Sequence, residues 1–417
     1  MSLSGALNSS VSALKAQSTA IATVSDNLAN SSTYGYKTTV ASFESLVTGA
    51  SSSSYSSGGV LSNTRSNISA QGQLTRTSST TDLAIEGNGF LTVTGTAGSN
   101  EKFYTRNGEF SKDNNGYLVN NGYFLMGWRT DADGNVIGAP TAGNLESIDT
   151  NVITSCAAPT TEVSMSANLP ANAAVGDTFE TTLEIYDSLG TSALVSITWE
   201  KTGIGTWEAT FSDPVLSSDG TTVVGTSMAT PIAITFNSDG SIASAAPTTL
   251  SITGWTTGAA NSAISLDLGD PGSFSGLTQQ SVDGTIKVDL GTIEKDGLSY
   301  GSLSGISIED GIVYASYSNG AVRSIYQIAV ATFTNANGLQ AESGGLYRES
   351  GSSGSATMQL SGSGGAGTVN GSTLEASKTD TSEEFSVMIS AQQAYSASAQ
   401  VISTVSTMYD TLISAMR

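Results

Sequence analysis

The chain has 417 residues, of which 38% are hydrophobic, only 12% charged and 46 glycine, with a formal net charge of −21. That length accommodates two or three domains, and solubility carried by Ser, Thr, Asn and Gly more than by ions fits a β-rich protein with many turns. The acidic balance argues against nucleic acid and anionic membrane surfaces as partners, while the absence of histidine and the single Cys156 exclude His-based catalysis, Cys/His dyads, internal disulfides and His or multi-Cys metal sites.

The opening segment MSLSGALNSSVSALKAQ has neither a basic n-region nor an unbroken apolar h-region, so no cleavable secretory signal is expected and any export needs another machine. Leu7, Leu14, Ile21 and Leu28 then recur at strict seven-residue spacing, with Leu3, Val11 and Val24 three or four positions away. This predicts a coiled-coil helix over residues 3–28, roughly 40 Å long. Asn27 and Asn30 suit its termination and Gly35 a positive φ beyond it. Residues 1–47 are assigned to a terminal helical domain, and 48–75, which include TGASSSSYSSGG, to a flexible linker.

Alternating runs read as strands: FLTVTG (90–95), TLEIYD (182–187), ALVSITWE (193–200), PIAITF (231–236) and SIYQIAVATF (324–333). Turn signals at Asn107-Gly108, Asp133-Gly134 and Asp239-Gly240 interrupt them. All seven prolines fall between Pro140 and Pro271 and all four tryptophans between Trp128 and Trp255, which marks the middle as a separate body. An inner β-domain is therefore expected over 76–148 and 293–360, an inserted outer β-domain over 149–292, and a Gly/Ser-rich linker over 361–375.

The second helix belongs to the terminal domain at 376–417. Met388, Tyr395, Ile402, Tyr409 and Met416 form one heptad row, and Ala391, Ser398, Val405 and Leu412 the other. Thr381 with Glu384 three residues on reads as a capping box at its start. No residue from Phe385 to Tyr409 is charged, but eleven of these twenty-five are Ser, Thr or Gln, too polar for a membrane span. Ordinary amphipathic helices lying on a globular core would show the same periodicity. Against that, the outer faces are Ser, Ala, Gln and Thr in place of Lys and Glu, a surface suited to burial against further copies. The fold class is thus mainly β and multidomain, with coiled-coil-forming helices at both termini and β-domains nested one inside the other.

Chemistry-bearing motifs fail on context. Gly362-Ser-Gly364-Gly-Ala-Gly367 matches G-x-G-x-x-G, yet Val369-Asn-Gly371-Ser follows where a helix must open. Asp131-Ala-Asp133-Gly134-Asn135 has its glycine at the fourth position and Ala142 at the twelfth, so it reads as a turn and not as a calcium loop. Carboxylates are scattered without an evident acid–base pair. No catalytic, cofactor-binding or metal-binding residue is assigned, and no enzyme activity is expected.

Asn27-Leu28-Ala29-Asn30 followed by Thr33, Gly35, Tyr36 and Lys37 is similar to the N-L-A-N-x-x-T-x-G-Y-K signature of the rod–hook family of flagellar axial proteins. Thr81 to Phe90, Tyr104 to Gly108, Gly116 to Val119 and Gly122 to Trp128 resemble the opening strands of that family's inner domain, and Tyr186 to Gly190 its inserted domain. Tyr317 to Gly320, Phe333 to Leu339, Leu374-Glu375 and Glu384 to Tyr395 resemble the return path and terminal helix. LEASKTD departs from the family's usual Leu-Glu-x-Ser-Asn-Val-Asp at Lys378 and Thr379 while keeping Asp380.

The resemblance implies a structural subunit, without cofactor, that passes through the flagellar type III export apparatus. It would polymerise with itself outside the cell into the hook, a flexible curved tube acting as universal joint, next to rod, hook-cap and hook–filament junction proteins. A distal rod or other axial subunit is the alternative, and a β-rich surface adhesin a third. Both terminal helices are expected to melt in the lone subunit and to fold on assembly.

Overall fold

The computed structural model describes residues 3–51, 54–131, 133–228 and 230–415. The chain is mainly β with one long helix near each terminus: α1 (Leu3–Ala29) and α2 (Thr381–Ala415). It divides into two compact units, one built from residues 1–152, 306–315 and 323–417, the other from 153–305 and 316–322.

In the first unit, Ser and Thr recur along both helices without breaking them because their hydroxyls fold back onto the preceding turn. Ser10 and Thr23 donate to the carbonyls of Ala6 and Ala20, and Ser390, Ser398, Thr404 and Thr411 to those of Ser386, Ala394, Gln400 and Thr407. Each hydroxyl proton thus has a partner inside its own helix.

Beyond α1 come the paired strands β1 (Thr39–Ser51) and β2 (Ser54–Ser66), which lie along α1. The stretch expected as a flexible linker is therefore a hairpin arm, with residues 52 and 53 outside the described set. Its strands form because TVASFES brings β-branched and aromatic residues opposite Val60 to Ser66, and one flank is tied to the helix by the Val60 amide donating to Ser12 Oγ at 3.1 Å. The β-body follows with β3 (Leu74–Arg76), β4 (Leu83–Glu86), β5 (Phe90–Thr94) and β6 (Phe103–Thr105). β5 pairs antiparallel with β6, Tyr123–Arg129 and Val330–Thr332, and β6 also pairs with Leu346–Arg348. Leu83, Leu91, Val93, Leu118, Leu125, Ile328 and Val369 are fully buried among them, and Phe90 meets Phe333 and Tyr347 edge-on.

The second stretch expected as a linker is likewise structured. Thr368–Gly371 pairs with β4 and Thr373–Glu375 with β3. Backbone pairing and the burial of Val369 and Leu374 outweigh the Gly/Ser composition there. The glycine-rich turn leads into a strand and not a helix, and a Cβ on Gly367 would stand 2.4 Å from the Glu86 carbonyl oxygen. Asn107-Gly108 is not a hairpin turn. Gly108 is required because a Cβ there would lie 1.8 Å from the Leu83 carbonyl oxygen.

The second unit holds two six-stranded sheets around one apolar core. One contains Glu162–Pro170, Thr249–Thr253 and Ser262–Asp267; the other contains Thr178–Tyr186, Ser192–Gly203, Thr206–Phe211 and Ile232–Phe236. Alternate residues of Ser192–Gly203 are buried, as period-two patterning requires. Trp199 and Trp207 sit in this core with Leu183, Val195 and Ile264.

Candidate functional site: the root of the terminal helices

The end of α1 meets the start of α2, and the two helices pack antiparallel. Burial on α2 reaches from Glu384 to Val405, about 30 Å of helix. Asn27 aligns with Glu384, so the described start of α1 at Leu3 falls near position 408 of α2 and the following turns of α2 extend past it.

Of the heptad rows, Leu7, Leu14, Ile21 and Leu28 are half-buried, while the most deeply buried α1 positions are smaller: Ser10, Ala16, Ala20, Thr23, Val24 and Asn27. On α2, Ala391 and Val405 are buried and Met388, Ser398 and Ile402 half-buried, but Tyr395, Tyr409 and Leu412 are exposed. Met416 lies outside the described residues. The deepest burial on α1 therefore lies beside the leucine row and not on it. Phe385, Val387, Ile389, Val401, Met408 and Ile413 of α2 are also exposed.

Asp380, not Thr381, caps α2. Its carboxylate accepts from the Ser382 and Glu383 amides at 2.9 and 3.2 Å, and an anion at this end also meets the helix dipole favourably. Glu384 consequently does not close a capping box. It accepts from Asn27 Nδ2 at 2.8 Å, and burial followed by Glu383 raises its pKa against the lowering effect of that bond.

Asn27, 1% exposed, has every amide valence engaged. Nδ2 donates to Glu384 and to the Thr39 carbonyl (2.9 Å); Oδ1 accepts from the Thr39 amide (2.9 Å) and Tyr36 Oη (3.1 Å). Its side chain thus pairs with Thr39 as a neighbouring strand would, binding α1, α2 and β1 at one point. Thr379 Oγ1 adds a bond to the Asn27 carbonyl at 3.1 Å.

The remaining signature residues each have a place. Asn30 Nδ2 donates to the Asp26 carbonyl and Oδ1 accepts from Thr33, closing the end of α1. Ala29 is exposed. Gly35 has φ +69°, and a Cβ there would lie 2.6 Å from the backbone of Arg106 and Asn107. Burial, then Asp26 and Glu384, push the Tyr36 hydroxyl pKa up.

Lys37 enters a buried ionic cluster. Its Nζ donates to Glu375 Oε1 and to the Ala70 carbonyl, both at 2.5 Å, and Arg106 Nη1 stands 3.0 Å from Glu375 Oε2. The Gly72 amide also donates to Oε1 at 2.6 Å, and Arg106 reaches the carbonyls of Ile85 and Gly87. Burial holds both cations' pKa values below their ordinary range, against the opposing pull of Glu375. Sequence reasoning assigned no role to Arg106 or Glu375; the available signal was two charged residues, in a chain poor in them, inside the quoted Tyr104 to Gly108 and Leu374-Glu375 motifs.

Among the described residues no group of three or more His, Cys, Asp or Glu is placed to hold a metal, and no helix is long and apolar enough to cross a membrane. Asp131 Oδ1 accepts from the Asp133 and Asn135 amides, which makes 131–135 a self-satisfied turn.

Family models match at both ends and in both units. Residues 7–37 match "Flagella basal body rod protein", 84–168 "Flagellar hook protein FlgE/F/G D1 domain", 154–297 "Flagellar basal body protein FlaE D2 domain" and 371–415 "Flagellar basal body rod FlgEFG protein C-terminal". A flagellar hook protein of Rhizobium meliloti is 36% identical over the full length of both chains. The chain belongs to the flagellar hook protein family. Hook proteins of Brucella suis, 34% identical over all of both chains, and of Escherichia coli, 31% identical over 98% of this chain and 99% of that one, are further relatives. The crystal structure of the hook protein FlgE2 of Helicobacter pylori has a TM-score of 0.49 and 15% identity, covering 72% of this chain and all of that one. The deeply buried helix root is formed in part by the two terminal matches, which include Asn27, Lys37, Glu375 and Glu384.

Proposed function

We propose that this chain is the structural subunit of the flagellar hook, polymerising with itself into a flexible curved tube that works as a universal joint between rod and filament. The observation that carries the reading is the exposed apolar surface of α2. Apolar side chains from Phe385 to Ile413 stand exposed among serines and threonines whose hydroxyls already donate within the helix. Such a surface can be buried against other copies without stranding a polar donor or an ion. Family membership supplies the assembly to which that surface belongs.

On this reading residues 1–47 and 376–417 form the tube's helical core, 76–148 with 293–360 the inner β-layer and 149–292 the outer one. Leu7, Leu14, Ile21, Leu28, Met388, Tyr395, Ile402, Val405, Tyr409 and Leu412 serve assembly, the exposed members between copies and the others within the subunit. The axial neighbours are rod, cap and junction proteins. The chain reaches its extracellular position through the flagellar export apparatus, with helices that order on polymerisation, and it has no enzymatic activity.

The terminal matches to rod-protein models favour a distal rod subunit as the second reading, whereas the inserted-domain match and the full-length hook relatives favour the hook. Immunogold labelling of isolated basal bodies with an antibody to residues 153–297 separates them. Label on the curved extracellular segment is expected; label on the straight rod would move the assignment to the rod, and an unlabelled organelle would overturn both.

A further inference from the structure

The cluster of Lys37, Arg106 and Glu375 is larger than a salt bridge needs to be, and its members come from three places in the chain. Lys37 lies on the segment leaving α1, Arg106 directly after β6, and Glu375 on the strand that leads into α2. Side-chain exposure is 1%, 3% and 1%. The single carboxylate contacts both cations, one on each oxygen, while the cations' other hydrogen bonds go to carbonyls and Arg106 Nε is buried without a partner among the described residues. Burying either cation without Glu375 would leave an ion among neutral dipoles, and burying Glu375 alone would do the same with opposite sign.

Backbone bonds follow the same pattern. Thr373–Glu375 pairs with β3 on one side, and on the other the Gly35 amide donates to the Glu375 carbonyl (2.7 Å) and the Lys378 amide to that of Tyr36 (3.2 Å). The C-terminal strand is therefore held between two N-terminal segments, one before the hairpin arm and one after it.

We propose that Lys37, Arg106 and Glu375 form a buried charge lock through which the segment leaving α1 and the segment entering α2 become ordered only together. The lock deepens the hook reading by naming what couples the two ends of the subunit, but its test can fail separately from that reading.

The test is amide hydrogen exchange on the assembled full-length chain, comparing wild type, Glu375→Gln and, as a control, Glu101→Gln in an exposed pair with Arg348. With Glu375→Gln, exchange should accelerate by at least about tenfold in residues 31–38 and 371–378 alike, with the second unit and the control unchanged. Acceleration confined to 371–378 would overturn the lock. Should Glu375→Gln not assemble, Lys37→Gln and Arg106→Gln are added to remove both ions left unpaired. Recovery of assembly supports the lock, and a triple variant no better than the single one overturns it. If wild type itself does not polymerise, the hook reading fails; the lock is then read in the free chain, where protection of one segment without the other would overturn it and joint behaviour support it.

Discussion

Asn27 shows how one side chain can set a junction. A carbonyl and an amino group on the same short stem match the amide and carbonyl of Thr39, and the remaining valences take Tyr36 and Glu384. Asn27→Asp would place carboxylate oxygens against the Thr39 carbonyl and Glu384. A loss of about 2–4 kcal/mol is expected, seen as a lower melting temperature of the assembled polymer. The Glu384 carboxyl gives a pH dependence of definite sign. Burial raises its pKa in the folded junction, so its contribution to stability is fully present below the ordinary glutamate range and is lost as pH rises through the raised value. Glu384→Gln keeps an acceptor for Asn27 and removes the titration. The gap in melting temperature between variant and wild type should therefore narrow as pH falls from about 7 to about 4; a constant gap would show that Glu384 does not titrate across the transition. The signature's Asn, Thr, Gly, Tyr and Lys were legible as a motif. Their partners were not, because Lys37 and Glu375 are separated by most of the chain and nothing local marks either as the other's counter-ion.

At the scale of elements, the heptad rows foretold both helices and their pairing, since a seven-residue apolar repeat has few other uses. They did not foretell that the deepest burial on α1 would fall on Ala16, Ala20 and other small or polar residues, because periodicity reports which face is apolar and not how near a neighbour comes. Composition misread both linkers for a related reason: serine and glycine lower strand propensity, but pairing across 39–66 and between 373–375 and β3 is decided by the partner strand. The half-buried and the exposed positions of the helix pair make separable predictions. Leu14→Asp, on a half-buried position, should abolish polymer formation by disturbing α1 packing. Ile389→Asp, on an exposed position of α2, should also abolish it but leave the far-ultraviolet circular dichroism of the free subunit unchanged. Sedimentation of polymer from soluble protein reads both, and normal sedimentation of Ile389→Asp would remove that position from assembly.

For the whole molecule, each unit has its own core. Trp199 lies among side chains of the second unit alone, its Nε1 donating to Thr181 Oγ1 at 2.8 Å. Trp199→Ala is expected to cost that unit about 3–5 kcal/mol and to lower one calorimetric transition while leaving exchange at the helix root as it was. A single shifted transition carrying both would mean that the units unfold as one. Six of the seven prolines and three of the four tryptophans lie in the second unit, whereas the positions at which the chain re-enters the first unit are set by sheet pairing and left no compositional trace.

The unequal lengths of α1 and α2 carry a last consequence. Among the described residues α2 runs past the beginning of α1, leaving a stretch of helix, with Met408, Tyr409, Leu412 and Ile413 exposed, that no described residue of α1 accompanies. In a stack of such copies the two extremities then differ, one offering these turns and the other the surface that receives them. Growth is accordingly expected to be vectorial, and fluorescent subunits added to unlabelled seeds should extend one extremity at a rate well above the other.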